Sequence, residues 1–163
     1  MSIELQDALS IVRRFRPVPW EQIPDLGLYM DQVITFIGRI YEPLYGADMK
    51  SYLSPAMINN YVKGRLIPRP AGKKYSREQI ALLVMIVALK QVSSMEEIRV
   101  MLTLREGQTV EGLYDAFCRR FSEVVGSLNP GDADPLDAAL DFAILSSGFR
   151  AGCVAALKER ISQ

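Results

Sequence analysis

Along most of the chain the apolar positions recur at intervals of three and four, the spacing of helices that bury one face. Over residues 3–15 they are Ile3, Leu5, Ala8, Leu9, Ile11, Val12 and Phe15. Arg13, Arg14 and Arg16 gather at the C-terminal end of that stretch, where cations suit the helix dipole. Residues 16–24, RPVPWEQIP, carry three prolines and predict an irregular linker, with Trp20 and Ile23 available to pin it to a core. A second helix is predicted over about 28–40, its apolar face made by Leu28, Val33, Phe36, Ile37 and Ile40. Pro43 and Gly46 are then expected to interrupt the chain, leaving 41–52 as a loop or a short irregular helical piece.

The next segment is punctuated more sharply. Ser54 is an N-cap residue, Pro55 fits the first helical position and Gly64 follows the last turn, which bounds a short helix at 55–63. On it Met57, Ile58, Tyr61 and Val62 share one face, and Ala56, Asn59, Asn60 and Lys63 share the other. Residues 66–75 predict a small hairpin: Leu66 and Ile67 as one strand, Pro-Ala-Gly as the turn, Lys74 and Tyr75 returning. Gly64 and Gly72 are expected to let the backbone turn tightly there. Ser76 with Gln79, and Ser94 with Glu97, are two capping boxes that open two further helices. The first contains IALLVMIVAL and is apolar nearly all round, so it is expected at the centre of the core. That run is about half the roughly 20 residues needed to cross a bilayer. A helix of about five turns is predicted over 109–128, and another from about 136, with Ser-Ser-Gly at 146–148 expected to interrupt it.

The predicted fold class is therefore mainly α: a winged helix-turn-helix over 20–105, with a small β-hairpin wing. An N-terminal helix and linker (1–19) precede it, and a helical C-terminal extension (106–163) follows as a dimerisation or effector region.

Composition changes this picture chiefly by exclusion. The 163 residues contain no histidine, which removes Ser-His-Asp and Cys-His catalysis and His-ligated metal from the chain's own repertoire. Two cysteines, Cys118 and Cys153, lie far apart without a CxxC, so neither a four-cysteine zinc site nor a disulfide framework is expected. No phosphate-binding glycine fingerprint occurs, and paired acids such as Glu96–Glu97 lack a supporting site. No enzyme, cofactor or metal is expected. The N-terminus lacks the basic start and unbroken apolar stretch of a signal peptide, and a cytoplasmic protein with reduced thiols is expected.

Charge then restores what its sum conceals. Nineteen basic residues balance nineteen acidic ones, but residues 1–49 carry 4 basic and 7 acidic, 50–105 carry 10 and 3, and 106–163 carry 5 and 9. The middle is therefore at +7 between flanks at −3 and −4. No acid occurs between Asp48 and Glu78, a gap that holds Lys50, Lys63, Arg65, Arg69, Lys73, Lys74 and Arg77. Such a cluster costs self-repulsion, which either a solvated face paired with acidic helices or an anion-binding footprint would explain.

A short helix with a polar outer face beside a basic wing is the plan of a winged helix-turn-helix, whose second helix enters the major groove of double-stranded DNA while wing and helix ends hold phosphates. Asn59 and Asn60 suit bidentate pairing with adenine. Ser54, Tyr61, Lys63, Arg65, Arg69, Lys73 and Lys74 complete the candidate DNA-binding set. The segment resembles the DNA-binding region of MerR-type regulators through Tyr61, Gly64-Arg65-Leu66-Ile67-Pro68, Lys73-Lys74-Tyr75-Ser76 and Ser94-Met95-Glu96-Glu97-Ile98. With DLGLYMDQV and MINNYVKGRLIP it more closely resembles the bacterial domain of unknown function 1836 family, over about residues 20–105. The resemblance implies a sequence-specific transcriptional regulator. It is expected to pair as a homodimer through its C-terminal helices and to answer to a small-molecule effector, with no membrane partner. The alternative is a protein-interaction or ligand-sensing module that reuses the winged-helix fold without DNA.

Overall fold

Every residue from 79 to 87 is buried, so the chain is organised around one helix that is apolar on all sides. The computed structural model describes residues 3–46, 51–129, 131 and 133–161. Seven helices run through these described residues: α1 (Ile3–Arg14), α2 (Met30–Tyr45), α3 (Pro55–Lys63), α4 (Arg77–Leu89), α5 (Met95–Leu102), α6 (Val110–Gly126) and α7 (Pro135–Ile161). The buried helix is α4, as its composition predicts, and α2, α5 and α6 pack against it. Both predicted capping boxes form. Ser76 and Ser94 accept from the backbone N–H of Gln79 and Glu97, whose side chains accept in return from the two serine N–H groups at 2.8 Å.

The proline-rich linker is pinned as expected. Trp20 and Ile23 are buried around a single 3-10 turn, and the Tyr114 hydroxyl of α6 donates to the Val18 carbonyl at 2.7 Å. Tyr114 is fully buried, so the core continues across residues 105/106 and includes α6.

Three predicted boundaries move. The interruption expected after residue 40 does not occur: α2 continues through Pro43 to Tyr45 and ends at Gly46, where φ is 74°. Proline there forfeits a single hydrogen bond near the helix end. Stacking outweighs that loss, because Tyr41 lies on Phe15 at 5.6 Å and on Tyr45 at 5.5 Å, and Tyr45 lies on Tyr52 at 4.6 Å. The Tyr41 hydroxyl donates to the Val84 carbonyl of α4 at 2.7 Å. Part of the loop expected at 41–52, residues 47–50, lies outside the described residues. Likewise Ser146, Ser147 and Gly148 do not interrupt α7, which is continuous over 27 residues.

The third change concerns the wing. No strand occurs among the described residues, and the β-hairpin between 66–67 and 74–75 does not form. Leu66 and Ile67 are both buried, unlike the alternation of a wing strand with one face in solvent. Pro68 and Pro70 then remove the N–H groups a ladder would need. What remains is a basic loop. A tight turn at its tip bridges Ala71 and Lys74, and Tyr75 pairs instead with Leu28, ahead of α2.

α7 packs along α5 and leaves Leu136, Leu140, Ile144, Leu145, Phe149 and Val154 between 44% and 79% exposed. It is long and apolar enough to cross a membrane over Pro135–Lys158.

Candidate nucleic-acid interface

The site is built on α3. Ser54 caps it by accepting from the Met57 N–H at 3.3 Å, and Pro55 occupies its first turn. Ile58 and Tyr61 are buried, so the polar stripe of Ala56, Asn59, Asn60 and Lys63 is turned to solvent, as the 3.6-residue period requires.

The helix ends by an unusual division of labour. Gly64 has an ordinary φ of −75°, while Arg65 takes the left-handed conformation at φ 58°. Leu66 N–H reaches back to the Tyr61 carbonyl at 2.9 Å, closing a turn of the Schellman kind. Glycine at 64 answers a different need from the tight turn expected of it. A Cβ there would lie 2.7 Å from the Met95 methyl and 3.1 Å from the Asn60 carbonyl oxygen. That close approach lets α5 grip the end of α3, with Arg99 donating to the Gly64 carbonyl at 2.8 Å while also pairing with Glu96.

The basic loop is shaped by the same conformation. Gly72 at φ 55° and Lys73 at φ 66° form the centre of the tip turn, the signature of a type I′ turn, closed by Lys74 N–H to the Ala71 carbonyl at 3.1 Å. Leu28 and Tyr75 exchange both backbone hydrogen bonds, at 3.1 and 2.8 Å, and tie the loop to the start of α2. Lys74 Nζ sits 5.2 Å from the centre of the Tyr29 ring. Arg65 and Lys73 are the non-glycine residues with positive φ among the described residues, and both are exposed cations.

The structure brings most of the candidates together around α3. Asn59 and Lys73 line one groove of about 710 Å³ with Tyr29, Asp31 and Pro70. Lys63, Arg65 and Arg69 rim another of about 740 Å³ whose floor includes Leu66, Leu82 and Leu102. Two candidates stand apart. Tyr61 is 3% exposed and belongs to the core, where burial raises its phenol pKa, so it presents no ring to a ligand. The half-buried Ser54 spends its hydroxyl on the helix cap. Of the described cations in the acid-free span, Arg77 is held internally. It donates to the Ile23 carbonyl at 2.8 Å, lies over Trp20 and reaches Asp25 at 3.5 Å. Lys63, Arg65, Arg69, Lys73 and Lys74 have no acidic partner within ion-pair distance among the described residues. Among the described residues, no acidic side chain pairs with this face within ion-pair distance.

Sequence reasoning missed Tyr29 and Arg99. Tyr29 is an exposed aromatic just ahead of α2, a signal visible in the pattern. The reach of Arg99 to the end of α3 depends on how α5 crosses it and leaves no local trace.

A model of the family described as domain of unknown function (DUF1836) matches residues 18–117. No curated protein and no solved structure matches the chain.

Proposed function

Since the chain belongs to the DUF1836 family, a membership that assigns no activity, we propose a function from its geometry: sequence-specific binding of double-stranded DNA as a cytoplasmic transcriptional regulator. The observation that carries this reading is the set of five exposed cations on α3 and the loop that follows it, without acidic partners among the described residues. Two of them are held in a backbone conformation that side-chain-bearing residues avoid at a cost of about 1–2 kcal/mol. Strain kept at charged surface positions points to use of those positions.

In this reading α3 is the recognition helix. Its nine residues span about 13 Å and suit a major groove about 12 Å wide. Asn59 and Asn60 face base edges, where each amide can pair with adenine N6 and N7. Lys63, Arg65, Arg69, Lys73 and Lys74 take phosphates on either side. The loop over 64–75 acts as a wing of the MerR-like kind without a β-ladder, its tip fixed by Gly72 and Lys73 and its base by the Leu28–Tyr75 pair. One short recognition helix reads few bases, so the regulator works as a pair on two half-sites.

Fluorescence anisotropy tests this with a labelled duplex from upstream of the protein's own gene. Tighter binding to that duplex than to a random one at physiological salt is expected, and equal affinity for both refutes a specific regulator. A second reading, ligand sensing without DNA, draws on the groove over Leu66, Leu82 and Leu102, whose apolar floor and cationic rim suit a small apolar anion. Failure to be retained on heparin would favour it.

A further inference from the structure

The groove of about 740 Å³ at the C-terminal end of α3 has a part that phosphate binding does not use. Its rim carries Lys63, Arg65 and Arg69, all exposed and without an acidic partner within ion-pair distance among the described residues. Its lining is otherwise largely apolar. Leu66 and Leu82 are buried, while Leu102, where α5 ends, and Val110, where α6 begins, are half-buried. Leu104, in the link between those helices, is 42% exposed. A phosphodiester backbone is charged along its length and gains nothing from leucine. Leucines left beside cations therefore call for a second kind of ligand.

The fold holds floor and rim in fixed relation. Arg65 keeps its left-handed φ of 58° with its side chain in solvent, and Leu66, the next residue, is buried. The Leu66 N–H bond to the Tyr61 carbonyl and the Arg99 bond to the Gly64 carbonyl fix the backbone on both sides of that step. One turn of irregular chain thus supplies a cation and a leucine side by side, and their order is set before any ligand arrives.

Charge complementarity selects the occupant. Three separate cations call for more than one negative charge, because a single carboxylate leaves the others unpaired. The leucines call for apolar side chains set between those charges. A helix with apolar residues at intervals of three and four, flanked by acids, carries both on one face. We propose that this groove docks a short acidic amphipathic helix of a partner protein, its apolar side chains on Leu66, Leu102 and Leu104 and its carboxylates on Lys63, Arg65 and Arg69. These are cations that the DNA-binding reading places on phosphates, so a seated partner withdraws them and the two ligands exclude each other. Only this competition rests on that reading; the docking does not.

The test starts from a displayed library of random short peptides selected on the full chain. Enriched sequences should carry apolar residues at helical spacing with at least two acids beside them. The most enriched peptide, labelled with fluorescein, is titrated by anisotropy without DNA. Arg65→Glu with Arg69→Glu should weaken it about tenfold. The same peptide with lysine in place of each acid should bind that variant more tightly than it binds the wild type. Leu104→Ser changes an exposed side chain outside the proposed DNA contacts, so it should weaken the peptide about threefold while leaving melting temperature and duplex affinity unchanged. A selection that yields no binder, binders without acids, or a peptide indifferent to either variant overturns the proposal. So does dodecanoate, below its micelle concentration, occupying the groove more tightly than the peptide, which would assign it to a small apolar anion. Peptide and duplex bound together would overturn the exclusion. A duplex that does not bind at all refutes the DNA reading, and the peptide titrations then decide the docking alone.

Discussion

Replacing Lys73 and Lys74 by alanine tests the proposed phosphate contacts quantitatively. Both side chains are exposed, and neither has an acidic partner among the described residues, so their charge is free to act outward. Within the fold, the change takes the Lys74 ammonium away from the face of the Tyr29 ring. At an exposed site that attraction contributes about 0.5–1 kcal/mol, a melting-temperature change of about 1–4 °C at this chain length. Binding should change in a different way. Five cations engaged on phosphates release counterions so that log K falls against log salt with a slope of about −4.5 per chain. Between 50 and 200 mM salt that is a loss of about 500-fold. With three cations the slope is about −2.7 and the loss about 40-fold. The assay is anisotropy titration of specific and random duplexes across that salt range, well below the melting temperature. The double variant should weaken both duplexes alike and lower the slope by about 1.8 per chain. A slope unchanged within error would refute the placement of the basic loop on the DNA backbone, whatever happened to affinity at a single salt concentration.

Asn59→Ala or Asn60→Ala should leave the salt slope intact and relax preference at one base position, a discrimination of about 1–3 kcal/mol, as selection from a random duplex pool would show. Gly64→Ala should lower stability by about 1–3 kcal/mol in thermal melts, because the new methyl meets Met95 and the Asn60 carbonyl. Glu97 holds its carboxyl below the usual range, first through the Ser94 N–H and then through Arg150. Its folded pKa lies below the unfolded value of about 4.3, so its contribution is present above that pH and is lost as pH falls through the folded pKa. The melting-temperature gap between wild type and Glu97→Gln should therefore be present at pH 7 and close below about pH 4. Burial pushes the Cys118 thiol up to about 11, so iodoacetamide labelling of Cys118 followed by mass spectrometry should be slow at pH 8 and accelerate toward that value.

Where structure follows from neighbours in sequence, it was legible. Ser54, Pro55 and the apolar period gave α3 its limits and faces, and the two Ser-x-x-Glu/Gln boxes placed the starts of α4 and α5. A cap or a 3.6-residue stripe is satisfied within one or two turns, so its signal lies in adjacent residues. The same locality explains the errors. Pro43 signals an end, but Tyr41 stacks on Phe15, remote in sequence, and Tyr45 on Tyr52 beyond the helix, and the helix continues. Tyr61 sits among candidate binding residues in sequence, yet its position on the inner face of α3 commits it to the core.

By itself, then, the sequence determined the order of helices, the central place of α4 and the gathering of cations around a polar helix face. These follow from periodicity, capping and charge counting, which need no partner. Tertiary structure decided the rest. It tied the loop to Leu28 instead of Leu66, seated Met95 against glycine at 64 while Arg65 took the left-handed conformation, and withdrew Arg77 to the linker. It also left α7 with an apolar face that the chain's own core does not cover. The physical reason is common to all four: each depends on which distant surface arrives to meet a residue, and that is settled only when helices pack.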